Sequence, residues 1–474
     1  MGEPLVVPGR PLACCVEAPD AYRAKARYAV EELLRGLGLA PRWADREGLG
    51  DGGLYYGLDP EAVPGAALRF RLAPETAAFF AAPRPFDPAR AGTLTWDGTA
   101  WPLLFDPSTH KGQTGGEGTE DRDVFASAFF WLSGWDEAAT RARDRHGRFV
   151  VEDALLARLD PALPPLVDVY RAWLGERLAE RGVAVPGRTW GGRTWAVALT
   201  VDVDVVRTRR LGRLARGLAA GQVGEALRAL APGDARRQAL HDFQAAFERW
   251  GARATWFFKA GAATPEDAAY RLEAPRLRRL LARLRAGGHE VGLHPSYAAY
   301  DHPGRLAAER DRLGRVLGEA PRVVRTHFLR WAEPTTPRLL ARAGFRLDGS
   351  LGFSARPGFR RAAATPFRVY DRHADRPLDL WALPLAVMDT TLFDHLHLEP
   401  EAATEAAVAV CEAARRVGGC AVLLMHNWPT DPREAAVRLD AFERVMGRAH
   451  AEGAFLGAMG EVVAGWMSDP GTGT

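Results

Sequence analysis

The sequence predicts a (β/α) barrel preceded by a smaller α+β unit, and three observations carry that prediction. From Trp195 onward, short apolar runs alternate with amphipathic stretches, the pattern of strands and helices that builds a parallel sheet. About eight such strands succeed one another with helices between them, which suits a barrel better than an open sheet. Ahead of Trp195 the pattern is mixed, and Pro186-Gly-Arg-Thr-Trp-Gly-Gly reads as a linker. The expected division is therefore 1–188 for the first unit and 189–474 for the barrel.

In the first unit, Ala21 to Leu37 has the periodicity of an amphipathic helix that ends at its glycines. Gly92 to Phe105 suggests a hairpin turning at Asp97-Gly98. Asp106 to Arg122, rich in Gly, Thr and charge, reads as a loop that leads into an apolar helix from Val124 to Trp135. A second polar loop spans Arg141 to Phe149, and Val167 to Arg181 reads as a helix. His110 and His146, with Asp and Arg around them, suggest either a second binding site or a solvated loop.

The barrel strands are expected at Trp195 to Val201, Ala254 to Lys259, Glu290 to Leu293 and Val323 to Thr326. Others are expected near Phe345 to Asp348, Leu380 to Leu385, Val422 to His426 and Ala454 to Leu456. Helices are expected at Asp234 to Trp250, Ala274 to Ala286, Gly304 to Leu317, Thr335 to Ala343, Glu401 to Val417 and Pro432 to Glu452. The first strand is the most informative. It reads as buried on both faces and ends in Asp202 and Asp204, whose side chains share one face because strand side chains alternate. Carboxylates at the end of a buried strand are costly unless something cationic sits beside them; the alternative is that the strand has ended and both aspartates are solvated in a turn.

Composition bounds the function. The chain has 474 residues, 47% of them hydrophobic and 26% charged, with a net charge of +3. That fits a soluble globular protein and offers no basic block for a nucleic-acid or membrane surface. Nearly all the positive charge is arginine, and Lys25, Lys111 and Lys259 are the three lysines. The first residues lack the charged and apolar regions of a signal peptide, and no apolar run approaches a membrane span. Cys14, Cys15, Cys411 and Cys420 form no metal or disulfide pattern, so a cytoplasmic, reduced protein is the expectation.

Polar residues recur where α/β barrels place their sites, at the C-terminal ends of strands. These are Asp202 and Asp204, then His294, Arg325 and His327, Asp348, and His426. Each histidine alone is compatible with a structural role, but several on one rim point to a site. One carboxylate and two neutral imidazoles can hold zinc with a position left for water, whose pKa falls to ~7. Trp256, Tyr297, Trp331 and Trp428 fall near strand ends and could stack on sugar faces, or simply pack in the core.

Trp195 to Asp204, Gly251-Ala-Arg-Ala-Thr-Trp-Phe-Phe, Gly288-His-Glu-Val-Gly-Leu-His, the Arg325 segment and Leu424-Met-His426 follow one another in that order. The order resembles the polysaccharide deacetylase family, carbohydrate esterase family four. Asp121-Arg-Asp-Val-Phe-Ala-Ser-Ala-Phe-Phe and Asp144-Arg-His-Gly-Arg-Phe are similar to a domain that precedes this barrel in some bacterial relatives. The resemblance implies a distorted barrel and removal of acetyl groups from N-acetylated sugars or polysaccharide precursors with a bound divalent metal such as Zn2+. It implies that Asp204, His294 and His327 hold the metal and that Asp202 is the general base. Arg325 would orient that base, with a rim salt bridge as its alternative role, and His426 would protonate the leaving amine. The roles of the two aspartates could be exchanged. Trp256, Tyr297, Arg330, Asp348 and Trp428 are the substrate-binding candidates.

Two departures bear on this. The family's paired aspartates are adjacent, whereas Val203 separates them here. Its second metal histidine follows the first by four residues, where this chain has Ala298. His327 is the expected substitute and His302 the second choice, while His289 is expected to serve structure. The departures leave two alternatives, a non-catalytic carbohydrate-binding barrel and a hydrolase of another C–N bond such as a cyclic amide.

Overall fold

The computed structural model describes residues 9–50, 52–106, 119–206, 235–262, 264–268, 270–429 and 431–468. Two sheets organise the chain. In the first, β1 (Arg10–Glu17), β2 (Leu39–Trp43), β3 (Leu54–Gly57) and β4 (Leu68–Arg71) run parallel. A hairpin follows, of β5 (Gly92–Trp96) and β6 (Thr99–Leu103), and β7 (Thr119–Glu120) completes the sheet in the order β2-β1-β3-β4-β7. The smaller unit is thus present, and its sheet is parallel throughout. The hairpin turns at Asp97 and Gly98, both at positive φ (49° and 68°), as a two-residue turn between twisted strands requires.

Helices Asp20–Gly36, Val124–Leu132 and Leu166–Glu180 pack beside this sheet. Every residue of Val124–Leu132 is buried, which accounts for its apolar run on all sides. Part of the expected loop from 106 to 122 is strand β7, paired with β4 at Arg69 and Phe70. Residues 107–118, including His110, lie outside the described residues.

The second sheet is the curled barrel wall. Its strands are β8 (Ala196–Val203), β9 (Thr255–Lys259), β10 (Glu290–His294), β11 (Val323–Val324) and β12 (Leu347–Asp348). They continue with β13 (Phe367–Asp371), β14 (Arg376–Ala382), β15 (Leu385–Met388), β16 (Cys420–His426) and β17 (Phe455–Gly457). The order is β13-β14-β12-β11-β10-β9-β8-β16-β15, with β17 paired to the start of β8. All pairs are parallel except the β13–β14 hairpin. Among the described residues no pairing joins β13 to β15, so the barrel is curled and open at that seam.

All eight residues of β8 are buried, because helices cover the outside of the wall and side chains fill the inside. The expected barrel helices are present to within one or two residues, for example Pro400–Arg416 and Pro432–Ala451. Strand β13 is additional to the expected set, and the single strand expected near Leu380 to Leu385 is divided between β14 and β15. One hydrophobic cluster runs from Leu12 in β1 to Ala454 beside β17, so the two sheets share a core. Polar ties cross as well. Tyr28 donates to the Arg368 carbonyl at 2.5 Å, and the buried Glu137 pairs with Arg360 at 2.7 Å. Among the described residues no helix is long and apolar enough to cross a membrane.

Candidate active site

The parallel register assembles the site. It sets Asp202 beside His426 across β8 and β16, and Lys259 beside His294 across β9 and β10. All four are therefore brought to the same end of the wall. Arg325 follows β11, whose pairing with β10 at Leu293 and Val324 puts it next to His294.

Asp204, His294 and His327 converge there. Asp204 Oδ1 lies 3.4 Å from His294 Nε2 and 3.3 Å from His327 Nε2. Donors held at about 2.05 Å around a tetrahedral zinc stand roughly 3.3 Å apart, which both of these distances match. The tautomers agree. His294 Nδ1 is 2.7 Å from the Arg325 carbonyl, and His327 Nδ1 is 3.0 Å from Asp267 Oδ1. A carbonyl or carboxylate only accepts, so both Nδ1 atoms carry a proton, and each Nε2, the ring nitrogen nearest Asp204, is the atom that a neutral imidazole would offer to a metal. Asp204 Oδ1 is buried and accepts no hydrogen bond. Two imidazole nitrogens and a buried carboxylate oxygen without a hydrogen bond fit a divalent cation.

A fourth group shares this space. Lys259, 2% exposed, places Nζ 3.0 Å from His327 Nε2 and 3.3 Å from Asp204 Oδ1. Burial opposes charge on Asp204, but Lys259, then His327 and His294, hold its carboxyl well below the usual range. Burial likewise opposes charge on His327, and the Asp204 and Asp267 carboxylates outweigh it and raise its basicity.

Two charge pairs flank the triad. Arg325, fully buried, donates from Nη1 to Asp202 Oδ1 at 3.1 Å and to Thr200 Oγ1 at 2.7 Å, and from Nε to the Gly349 carbonyl at 2.8 Å. This supplies the cation that the buried carboxylate needs. His426 Nδ1 lies 2.6 Å from Asp389 Oδ1, and its Nε2 is 3.8 Å from Asp202 Oδ2. Burial opposes the imidazolium, yet Asp389, with Asp202 and Asp204 behind it, pushes the His426 pKa up to about 9.

These groups open into a cavity of about 630 Å³, also lined by Arg145, His146 and Arg148 from the first unit and by Trp428. The expected second polar loop is therefore a wall of the cavity mouth. His146 Nδ1 sits 3.1 Å from the Tyr297 hydroxyl. Arg330 fastens the same loop, stacking 4.0 Å over Tyr297 and 3.9 Å over Tyr300 while donating to the His146 carbonyl at 2.8 Å.

The remaining expected positions divide. Trp428, 49% exposed, stands at the mouth with the Arg236 guanidinium 5.0 Å over its ring. Trp256, Tyr297, Arg330 and Asp348 are not among the residues that line the cavity. Trp256 is wholly buried against Phe247 and His289, Arg330 is spent on the loop, and Asp348 is buried on Ser350, where burial pushes its pKa up to about 6. Tyr297 meets the cavity edge through His146. Trp331 is core, its indole donating to Glu333. His302 caps helix Pro303–Leu317 and His289 accepts from the Ala254 amide, so both serve local structure.

Sequence reasoning missed Lys259, Asp267 and Asp389. Lys259 carried a signal, a lone lysine closing an apolar strand in a chain with three lysines. The two aspartates carried none, since each is one acid among many in a connecting segment.

Comparisons with known proteins add the following. A family model described as a family of unknown function (DUF7033) matches residues 73–183. No curated protein matches the sequence. Solved structures of polysaccharide deacetylases are similar in fold. One, assigned as a polysaccharide deacetylase from Mycobacterium smegmatis, has 20% identity and a TM-score of 0.41, covering 58% of this chain and 91% of that one. An allantoinase has 14% identity and a TM-score of 0.39, covering 58% and 92%. A family 4 carbohydrate esterase from Streptomyces lividans, solved with acetate, has 16% identity and a TM-score of 0.31, covering 56% and 93%. At these values the functional reading is carried by the side-chain geometry.

Proposed function

We propose that this protein is a metal-dependent hydrolase that removes the acetyl group from an N-acetylated sugar or polysaccharide precursor, with zinc as the ion. One observation carries the reading. An ion-shaped donor set, a carboxylate held by a buried arginine and an imidazolium held by a carboxylate all face one cavity.

Asp204, His294 and His327 would hold the ion, which when bound polarises the acetyl carbonyl and acidifies water. Asp202 takes the proton of the attacking water. Arg325 holds that carboxylate by one buried donation from Nη1, and the guanidinium is itself fixed by donations to Thr200 Oγ1 and the Gly349 carbonyl, so the pair has little freedom to turn away. His426, protonated up to about pH 9 by its contact with Asp389, gives its Nε2 proton to the leaving amine nitrogen. Amine expulsion without that proton would produce an amide anion, so an acid with a raised pKa is what this bond requires. Trp428 offers an aromatic face at the mouth for a sugar ring.

The test is acetate release from a panel of N-acetylated mono- and oligosaccharides, by protein stripped with EDTA and then reloaded with Zn2+. Release that depends on added metal supports the reading. Turnover unchanged by EDTA, or cleavage confined to cyclic amides, overturns it.

A further inference from the structure

The amine of Lys259 stands among the metal donors. An ion bonded at about 2.1 Å to Asp204 Oδ1 and His327 Nε2 would hold its other ligands roughly 3.3 Å from those two atoms. Nζ lies 3.3 Å and 3.0 Å from them, the separations that such a ligand would have. An ammonium there has no lone pair to offer and sets a positive charge beside a dication. Ammonium and ion cannot share this arrangement.

The surroundings hold the lysine in place. Its stem is buried, Asp267 Oδ1 lies 3.8 Å from Nζ, and the β9–β10 register fixes Lys259 beside His294. Asp204 and Asp267 supply the negative charge that a buried ammonium needs, while Asp267 also orients His327. The same carboxylates thus serve a protein cation or a metal cation. A four-carbon stem beside an open cavity gives the amine somewhere to go when it is displaced.

We propose that Lys259 is the resident cation of the Asp204, His294 and His327 site, and that a divalent metal loads by displacing it. The metal-free protein is then an ion-paired closed state, and observed metal affinity is intrinsic affinity reduced by the fraction of molecules with the lysine in place. The inference rests on the triad being the metal site of the proposed hydrolase.

The experiment titrates Co2+ into EDTA-stripped full-length protein, read by visible absorption of the bound ion and by calorimetry. The proteins are wild type, Lys259→Met, Lys259→Gln, Lys259→Arg, and His294→Ala alone and combined with Lys259→Met. Thermal melts confirm that each is folded, and the glutamine variant stands in if the methionine variant is not. Removal of the ammonium is expected to tighten Co2+ binding at least about tenfold. Lys259→Arg should bind no more tightly than wild type, and His294→Ala should abolish binding in both backgrounds. Equal or weaker binding by both neutral variants, with His294→Ala still abolishing it, overturns the inference and leaves the metal reading standing. Binding indifferent to His294→Ala, or absent from every protein, overturns the metal reading and the inference with it.

Discussion

The two sheets end their strands with similar residues and use them differently. In the first unit Glu17, at the end of β1, pairs with Arg46 at 2.5 Å, but both side chains are more than a third exposed. In the barrel Asp202, near the end of β8, pairs with Arg325 at 3.1 Å, and the two are 3% and 0% exposed. An exposed pair is screened by water and contributes little. A buried pair is neither screened nor replaceable by solvent, so its geometry is fixed, and a fixed carboxylate facing a cavity can do chemistry. Burial rather than residue type separates surface charge from candidate site.

Four changes would break or sharpen that contrast. Asp202→Asn should cost the most, about 10³-fold in kcat/KM for acetate release, with a lowered melting temperature because Arg325 is left buried without its carboxylate. Arg325→Met leaves Asp202 buried without its cation and should destabilise the fold by about 3–5 kcal/mol in urea unfolding, with loss of activity. Asp389→Asn removes the first cause of the raised His426 pKa. The basic limb of the pH profile should move down from about 9 toward the ordinary value, costing up to roughly thirtyfold in rate at pH 8 through loss of the protonated acid. Glu17→Gln should change stability by no more than ~1 kcal/mol, an effect erased by salt.

The same histidine gives a sign that denaturation can check. Its folded pKa lies above the unfolded value of about 6.5, so the His426–Asp389 pair contributes fully below that pH. The contribution is lost as pH rises through about 9. Asp389→Asn should flatten this dependence. An unchanged slope between pH 6 and 10 would remove the ion pair from the account.

Long elements were legible in the sequence because their signal is local. An apolar run such as β8, or the periodic helix Pro432–Ala451, has to bury its surface wherever the rest of the chain lies. Strand β13 was not, because Phe-Arg-Val-Tyr-Asp becomes a strand only when β14 folds back on it. Two-residue strand β7 likewise exists through its pairing with β4. Aromatic residues near strand ends could not be sorted by sequence, since Trp256 turns into the core and Trp428 into the cavity by the facing of two particular positions.

What the sequence determined by itself was the alternation that makes a barrel and the ordered polar residues on its rim, which depend on composition and period alone. Tertiary structure decided the partnerships. Parallel register set Lys259 beside His294, the curl of the wall brought His327, after β11, against Asp204, after β8, across the two strands between them, and a segment after β15 carried Asp389 to His426. Those distances arise between residues tens to hundreds of positions apart, where no sequence spacing records them. Charge in a buried site is governed by what stands within a few ångströms, and only the folded chain specifies that.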